Sequence, residues 1–122
     1  MDLGSRRQAR RFSHVIARQW RVWSERQRAD EVAPYLQVTG VGEALRTPGN
    51  LGALLLRRDD GEHVLFELTT LWRSWESIHA FAGQDVSRAV LYPEDQALFA
   101  RWDDHVQHFD VIPYDGLLNG PV

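Results

Sequence analysis

Apolar and polar residues partly alternate from His14 to Trp23: Ile16, Arg18, Trp20 and Val22 fall on one side, Val15, Ala17, Gln19, Arg21 and Trp23 on the other. That period of two, among β-branched and aromatic residues, predicts a first strand. Ser24 then offers an N-cap. Beyond it, as far as Glu43, Val32, Leu36 and Val38, with Ala29, Ala33 and Tyr35 between them, keep a spacing closer to helix than to strand. Pro34 inside that stretch should kink or restart the helix. Thr47-Pro48-Gly49-Asn50 is a turn signal, and the continuous apolar run LGALLLRR over 51–58 predicts a second strand. Asp59-Asp60-Gly61-Glu62 reads as the tip of a tight hairpin, with Asp60-Gly61 favoured in a type I′ turn. The third strand, His63 to Trp72, places Val64, Phe66, Leu68, Thr70 and Trp72 on one face and His63, Leu65, Glu67, Thr69 and Leu71 on the other.

Ser74 opens a second helix through WESIHAFAG, where Ile78, Phe81 and Ala82 make an i, i+3, i+4 stripe and Gly83 suits the C-terminal cap. Asp85 to Val90 has room for one more helical turn. Pro93-Glu94-Asp95 starts a short helix, with Pro93 at its first position and the acids at the positive end of its dipole. HVQHFDVI, His105 to Ile112, predicts the last strand. The order strand, helix, strand, strand, helix, strand implies an α+β domain of ferredoxin-like βαββαβ type, an antiparallel sheet with helices on one face. The domain is expected over residues 14–112, between a frayed N-terminal arm over 1–13 and a C-terminal tail over 113–122. Leu65, Leu71, Val15 and Trp23 lie on the other sheet face and are too apolar to leave in water, which points to a partner sheet and so to a homodimer.

Composition narrows the chemistry. A chain of 122 residues with 43% apolar and 25% charged residues has the make-up of one folded domain rather than of a disordered segment. Its net charge is −3, and all fourteen cations are arginine. That balance argues against a nucleic-acid partner, which asks for a basic face. Arg6, Arg7, Arg10 and Arg11 in the arm lack aromatic interleaving, the pattern of a solvated tail. No cysteine is present, which excludes disulfides, thiolate nucleophiles and Cys-based zinc or iron–sulfur sites. No apolar run approaches the roughly eighteen residues of a membrane helix, and the N-terminus lacks the apolar core of a signal peptide, so a cytoplasmic protein is expected.

Taken in order, IARQWRVW, YLQVTGVGEALRTPGNLGALLLRR, LWRSWESIHAFAGQD, AVLYPEDQALF and HFDVI resemble an antibiotic biosynthesis monooxygenase domain over residues 14–112. The most specific pieces are the junction Leu71-Trp72-Arg73-Ser74 and the Ala80-Phe81-Ala82-Gly83 that follows, because a Trp–x–Ser start to this helix recurs in that family. The resemblance implies a dimeric α+β barrel, in agreement with the pattern above. It leaves several activities open: cofactor-independent monooxygenases that oxidise phenolic polyketides to quinones, heme-degrading enzymes, small quinol oxidases, and members with no known activity. Heme-degrading relatives carry an iron-ligating histidine just after a D-V-x-x-A stretch and an Asn on the first strand. Here Asp85-Val86-Ser87-Arg88-Ala89-Val90 leads to Leu91, and the first strand offers Arg18 or Gln19. Heme degradation is therefore disfavoured.

By the same resemblance Trp72 corresponds to the tryptophan lining the pocket between sheet and helices, an aromatic wall suited to a flat substrate. The alternative is a plain core position. Trp20 would line the same pocket if its face is the helical one. Arg18 shares the face of Ile16 and Trp20, where a buried guanidinium needs a protein carboxylate or a ligand oxyanion such as a phenolate; a surface site at a strand edge is the alternative. Tyr35 and Tyr92 could offer hydroxyls to a substrate, or stand as packed tyrosines with the hydroxyl at the surface. His79 and His108 are candidate general bases, since histidine titrates near neutral pH unaided. No metal site is expected, because His105 and His108, three apart on a strand, point to opposite faces. The function expected is a monooxygenase-like enzyme without bound flavin, metal or heme, acting on an aromatic or polyketide-like small molecule. A non-oxidative cyclase, isomerase or dehydratase on the same scaffold, and a non-catalytic dimeric binding module, are the alternatives.

Overall fold

The structure is a computed structural model that describes residues Val15 to Ile112; the expected N-terminal arm and C-terminal tail lie outside the described residues. Strands β1 (Ile16–Glu25), β2 (Asn50–Asp60), β3 (His63–Trp72), β4 (Arg101–Trp102) and β5 (Gln107–Asp110) form one antiparallel sheet. Its order is β2-β3-β1, and β4 and β5 both pair with the far edge of β1. The helices are α1 (Ala29–Leu36), α2 (Gly42–Arg46), α3 (Trp75–Ala82) and α4 (Pro93–Leu98). This is the expected ferredoxin-like α+β order with its last strand broken in two: β4 lies against Val22 and Trp23, and β5 against Ile16 to Gln19.

The alternation read from β1 and β3 is the one observed, and it divides the helical face of the sheet into layers. Trp20, Val22, Val64, Phe66 and Leu68 pack with Val32 and Leu36 of α1 and with Phe99 in one buried cluster. Ile16 and Trp72 pack with Ala44 of α2 and Ile78 of α3 in a second. Full burial of residues such as Phe66 and Leu36 stabilises the fold by about 2 kcal/mol each. Between the clusters a row of different chemistry crosses the sheet, since the register pairs Ala53 with Thr70, Thr70 with Arg18 and Arg18 with His108.

Several local expectations give way to stronger interactions. Ser24 caps no helix, because β1 runs on to pair Ser24 with Val64 and Glu25 with His63; the Ser24 hydroxyl donates to the Glu25 carbonyl at 2.6 Å, and a 3₁₀ turn, Arg26–Arg28, leads into α1. Pro34 does not break α1. The carbonyl its missing N–H would have served belongs to exposed Asp30, where water can take it. Instead the helix widens three residues later into a π turn, Gln37–Val41, which leads straight into α2. The hairpin closes one residue later than expected, with Asp60 paired to His63 around Gly61-Glu62. Asp85 to Val90 is no helix: the Asp85 carboxylate accepts from the Ser87 N–H and hydroxyl at 3.1 and 2.6 Å, a side-chain turn that competes with helical bonding.

The outer sheet face also departs from expectation. Val15, Trp23 and Leu65 are only 3%, 6% and 3% exposed in the single chain, so they need no partner to cover them. Trp23 lies between two guanidiniums, Arg101 at 3.9 Å and Arg21 at 5.3 Å, and its indole N–H donates to Asp60 Oδ2 at 2.8 Å. The open apolar surface on this face is instead Leu54 and Leu56 of β2 and Phe109 of β5, which are 54%, 48% and 50% exposed. Among the described residues no helix is long and apolar enough to cross a membrane.

Candidate functional site

Arg18 is the residue around which the site forms. The inward alternation of β1 carries its side chain between the two apolar clusters, where it is 4% exposed. Nη1 donates to the Val86 carbonyl at 2.5 Å and Nη2 to the Arg88 carbonyl at 2.9 Å, so the guanidinium holds the Asp85–Val90 turn down on the sheet. His108, opposite Arg18 on β5, brings Nε2 to 3.1 Å from Nη1. A guanidinium has no acceptor, so Nε2 receives this bond and the ring proton sits on Nδ1. Burial lowers the Arg18 pKa from its ordinary value to about 10, which leaves it charged at neutral pH. Burial first, and then the Arg18 charge, lower the His108 pKa below its ordinary 6.5, so that ring is neutral. Among the described residues no carboxylate pairs with Arg18.

Arg18 opens onto a pocket between sheet and helices. Trp20, Leu68 and Thr70 supply its sheet side, Leu36, Thr39 and Gly40 its α1 and π-turn side, and Phe81, Val90, Tyr92, Asp95 and Val106 close it. Gly40 lets the π turn sit close to the sheet, since a Cβ there would meet Leu68 Cδ2 at 2.7 Å. The cavity measures about 30 Å³, room for roughly two waters. Two wider depressions, of about 590 and 610 Å³, are open on the surface and hold no buried ionisable group.

Asp95 gives the pocket its second charge. It sits in the first turn of α4 and is 2% exposed. Its Oδ2 accepts from the Tyr92 N–H at 2.8 Å and its Oδ1 from the Tyr35 hydroxyl, which joins α1 to α4. Burial and this bond, with the carboxylate charge, raise the Tyr35 pKa well above its ordinary value, so the phenol keeps its proton. Tyr92 is also raised, by burial and by the charges of Glu43 and Asp95.

The structure thus brings Arg18, Trp20 and Tyr92 to one pocket, with His108 and Tyr35 directly behind Arg18 and Asp95. Trp72 is elsewhere: fully buried, it donates its indole N–H to Thr70 Oγ1 at 2.8 Å and underlies Phe81 at 5.3 Å between ring centroids, so Phe81 is the pocket wall. His79 stands outside the pocket, exposed on α3 with Nδ1 3.1 Å from the Gly83 carbonyl, a helix-end contact. Sequence reasoning took Phe81 for core and Asp95 for a dipole partner of α4. Nothing in the local pattern signals the contact between Tyr35 and Asp95, sixty residues apart.

No protein-family profile and no curated protein matches the chain in sequence. Solved structures do match it in shape. A candidate antibiotic biosynthesis monooxygenase from Caulobacter crescentus CB15 superimposes with a TM-score of 0.60 at 16% identity, over 84% of this chain and 93% of that one. One from Chloroflexus aurantiacus J-10-fl gives a TM-score of 0.52 at 21% identity, over 84% and 95%. The chain therefore has the fold of these antibiotic biosynthesis monooxygenase structures.

Proposed function

We propose that this chain is a cofactor-independent enzyme of the monooxygenase type that acts, as a homodimer, on an aromatic or polyketide-like small molecule in natural-product or quinone metabolism. The observation that carries this reading is a buried guanidinium, without an ion-pair partner among the described residues, that opens onto a pocket with Trp20 and Phe81 in its walls. The fold shared with the two monooxygenase-named structures supports it. Arg18 would stabilise the phenolate of a bound phenol, the electron-rich form that can reduce oxygen. In the overall step one oxygen atom enters the ring para to the hydroxyl and becomes the second quinone oxygen. The other leaves as water with two substrate hydrogens, and the ring supplies all four electrons. No external reductant is needed.

Oxygen uptake by the purified protein with a panel of mono- and polycyclic phenols tests this. One oxygen molecule consumed per quinone formed, insensitivity to chelators, and a rate about a hundredfold lower in Arg18→Gln are expected. Uptake that is absent, or that does not depend on Arg18, sinks the reading. The buried Asp95–Tyr35 pair favours a second possibility, non-oxidative acid–base chemistry such as cyclisation or dehydration in the same pocket. Turnover that persists without oxygen selects it.

A further inference from the structure

We propose that the pocket is a receptor for a small planar monocarboxylate, a single-ring aryl acid whose carboxylate lies on Arg18 and whose ring packs on Trp20, Leu68 and Phe81. This names a ligand class for the pocket just described, and it rests on the reading that this pocket is the site where a small aromatic molecule binds.

A guanidinium offers five N–H donors. Among the described residues three of Arg18's are committed, two from Nη1 and one from Nη2. That leaves Nε–H and one N–H of Nη2, two donors that a carboxylate can engage with both of its oxygens. The carbonyls of Val86 and Arg88 and the neutral ring of His108 solvate the cation without cancelling its charge. A buried cation in that state is completed by an anion.

Asp95 limits which anion. Its carboxylate lines the same pocket and forms no ion pair among the described residues. Its two oxygens accept from Tyr35 and Tyr92 but keep further lone pairs, so they can receive a ligand hydroxyl and would repel a second negative charge. The cavity, about 30 Å³, is smaller than one ring needs, so any ring requires its wall to move, and a single ring asks for a smaller movement than a polycycle. The Val90–Tyr92 part of that wall has no regular secondary structure.

Anaerobic calorimetric titration of the whole chain with para-hydroxybenzoate, its neutral amide, the dianion terephthalate and para-ethylphenol tests the assignment. Para-hydroxybenzoate should bind at least about tenfold more tightly than the amide, the phenol or terephthalate. Arg18→Gln should erase the preference for acid over amide, and Asp95→Asn should restore terephthalate binding by about tenfold. An amide or phenol that binds as well as the acid, or an acid that fails to bind at millimolar concentration, overturns the proposal. Should Arg18→Gln fail to fold, the wild-type ligand series and Asp95→Asn decide alone. Oxygen plays no part in these readouts: acid binding without oxidation removes only the monooxygenase reading, and phenol oxidation without acid binding removes only this one.

Discussion

Two opposite charges buried on one pocket make the individual side chains here unusually testable. Because the folded protein lowers the His108 pKa below 6.5, through burial and the Arg18 charge, the unfolded chain binds more protons as the pH falls through that region. The stability contribution is therefore complete above the ordinary histidine range and is lost below it. Thermal midpoints should rise from about pH 5 to about pH 7. In His108→Gln, whose side-chain oxygen can still accept from Arg18, that rise should shrink; an unchanged slope would place the effect on another group. Tyr35→Phe leaves Asp95 one donor short where it is 2% exposed, and denaturant unfolding should show a loss of about 1–3 kcal/mol. At this scale the sequence was legible where alternation applied, so Arg18 and Trp20 were found together. Trp72 lies one layer below the pocket wall, and alternation left open whether it was wall or core, because a tryptophan under the wall and one in the wall share the same strand face.

Among the elements, the long strands and α3 were readable because a period of two or an i, i+3, i+4 stripe repeats over enough residues to outweigh local exceptions. The π turn, the two-residue β4 and the Asp85–Val90 turn were not, since contacts distant in sequence hold each of them. Ala100 N–H, next to β4, donates to Trp23 O at 2.9 Å, and Ala89 N–H donates to Asp104 O at 2.9 Å. The join between β2 and α3 yields a sharp prediction. Gly49 has φ +93°, and a Cβ there would meet Ser77 Cβ at 2.4 Å, an atom close to the helix backbone and unable to swing away. Gly49→Ala should cost at least about 2 kcal/mol in unfolding experiments. A loss under about 0.5 kcal/mol would mean that the turn rebuilds freely.

For the whole molecule, the reason to propose a dimer moves to another part of the sheet. Three of the four residues thought to need a partner are covered by the chain itself, Trp23 by Arg21 and Arg101. Leu54 and Leu56, on an edge strand of eleven residues, are left in water, and long apolar edges are the surfaces that proteins generally pair or cover. Sedimentation should give twice the 14.1 kDa chain mass. Leu54→Asp combined with Leu56→Asp should halve it without loss of helical and sheet signal. A wild-type protein that sediments as a monomer at micromolar concentration would end the dimer reading.

The π turn at Gln37–Val41 holds one residue more than an α-helical path would need between α1 and α2. In evolutionary terms it has the geometry of a single-codon insertion. Excising Thr39 would let the two short helices fuse into one regular rod, and the fused rod would be the more economical fold. The same excision would withdraw Thr39 and Gly40 from the pocket wall. A chain that relies on this pocket therefore has to keep that extra residue.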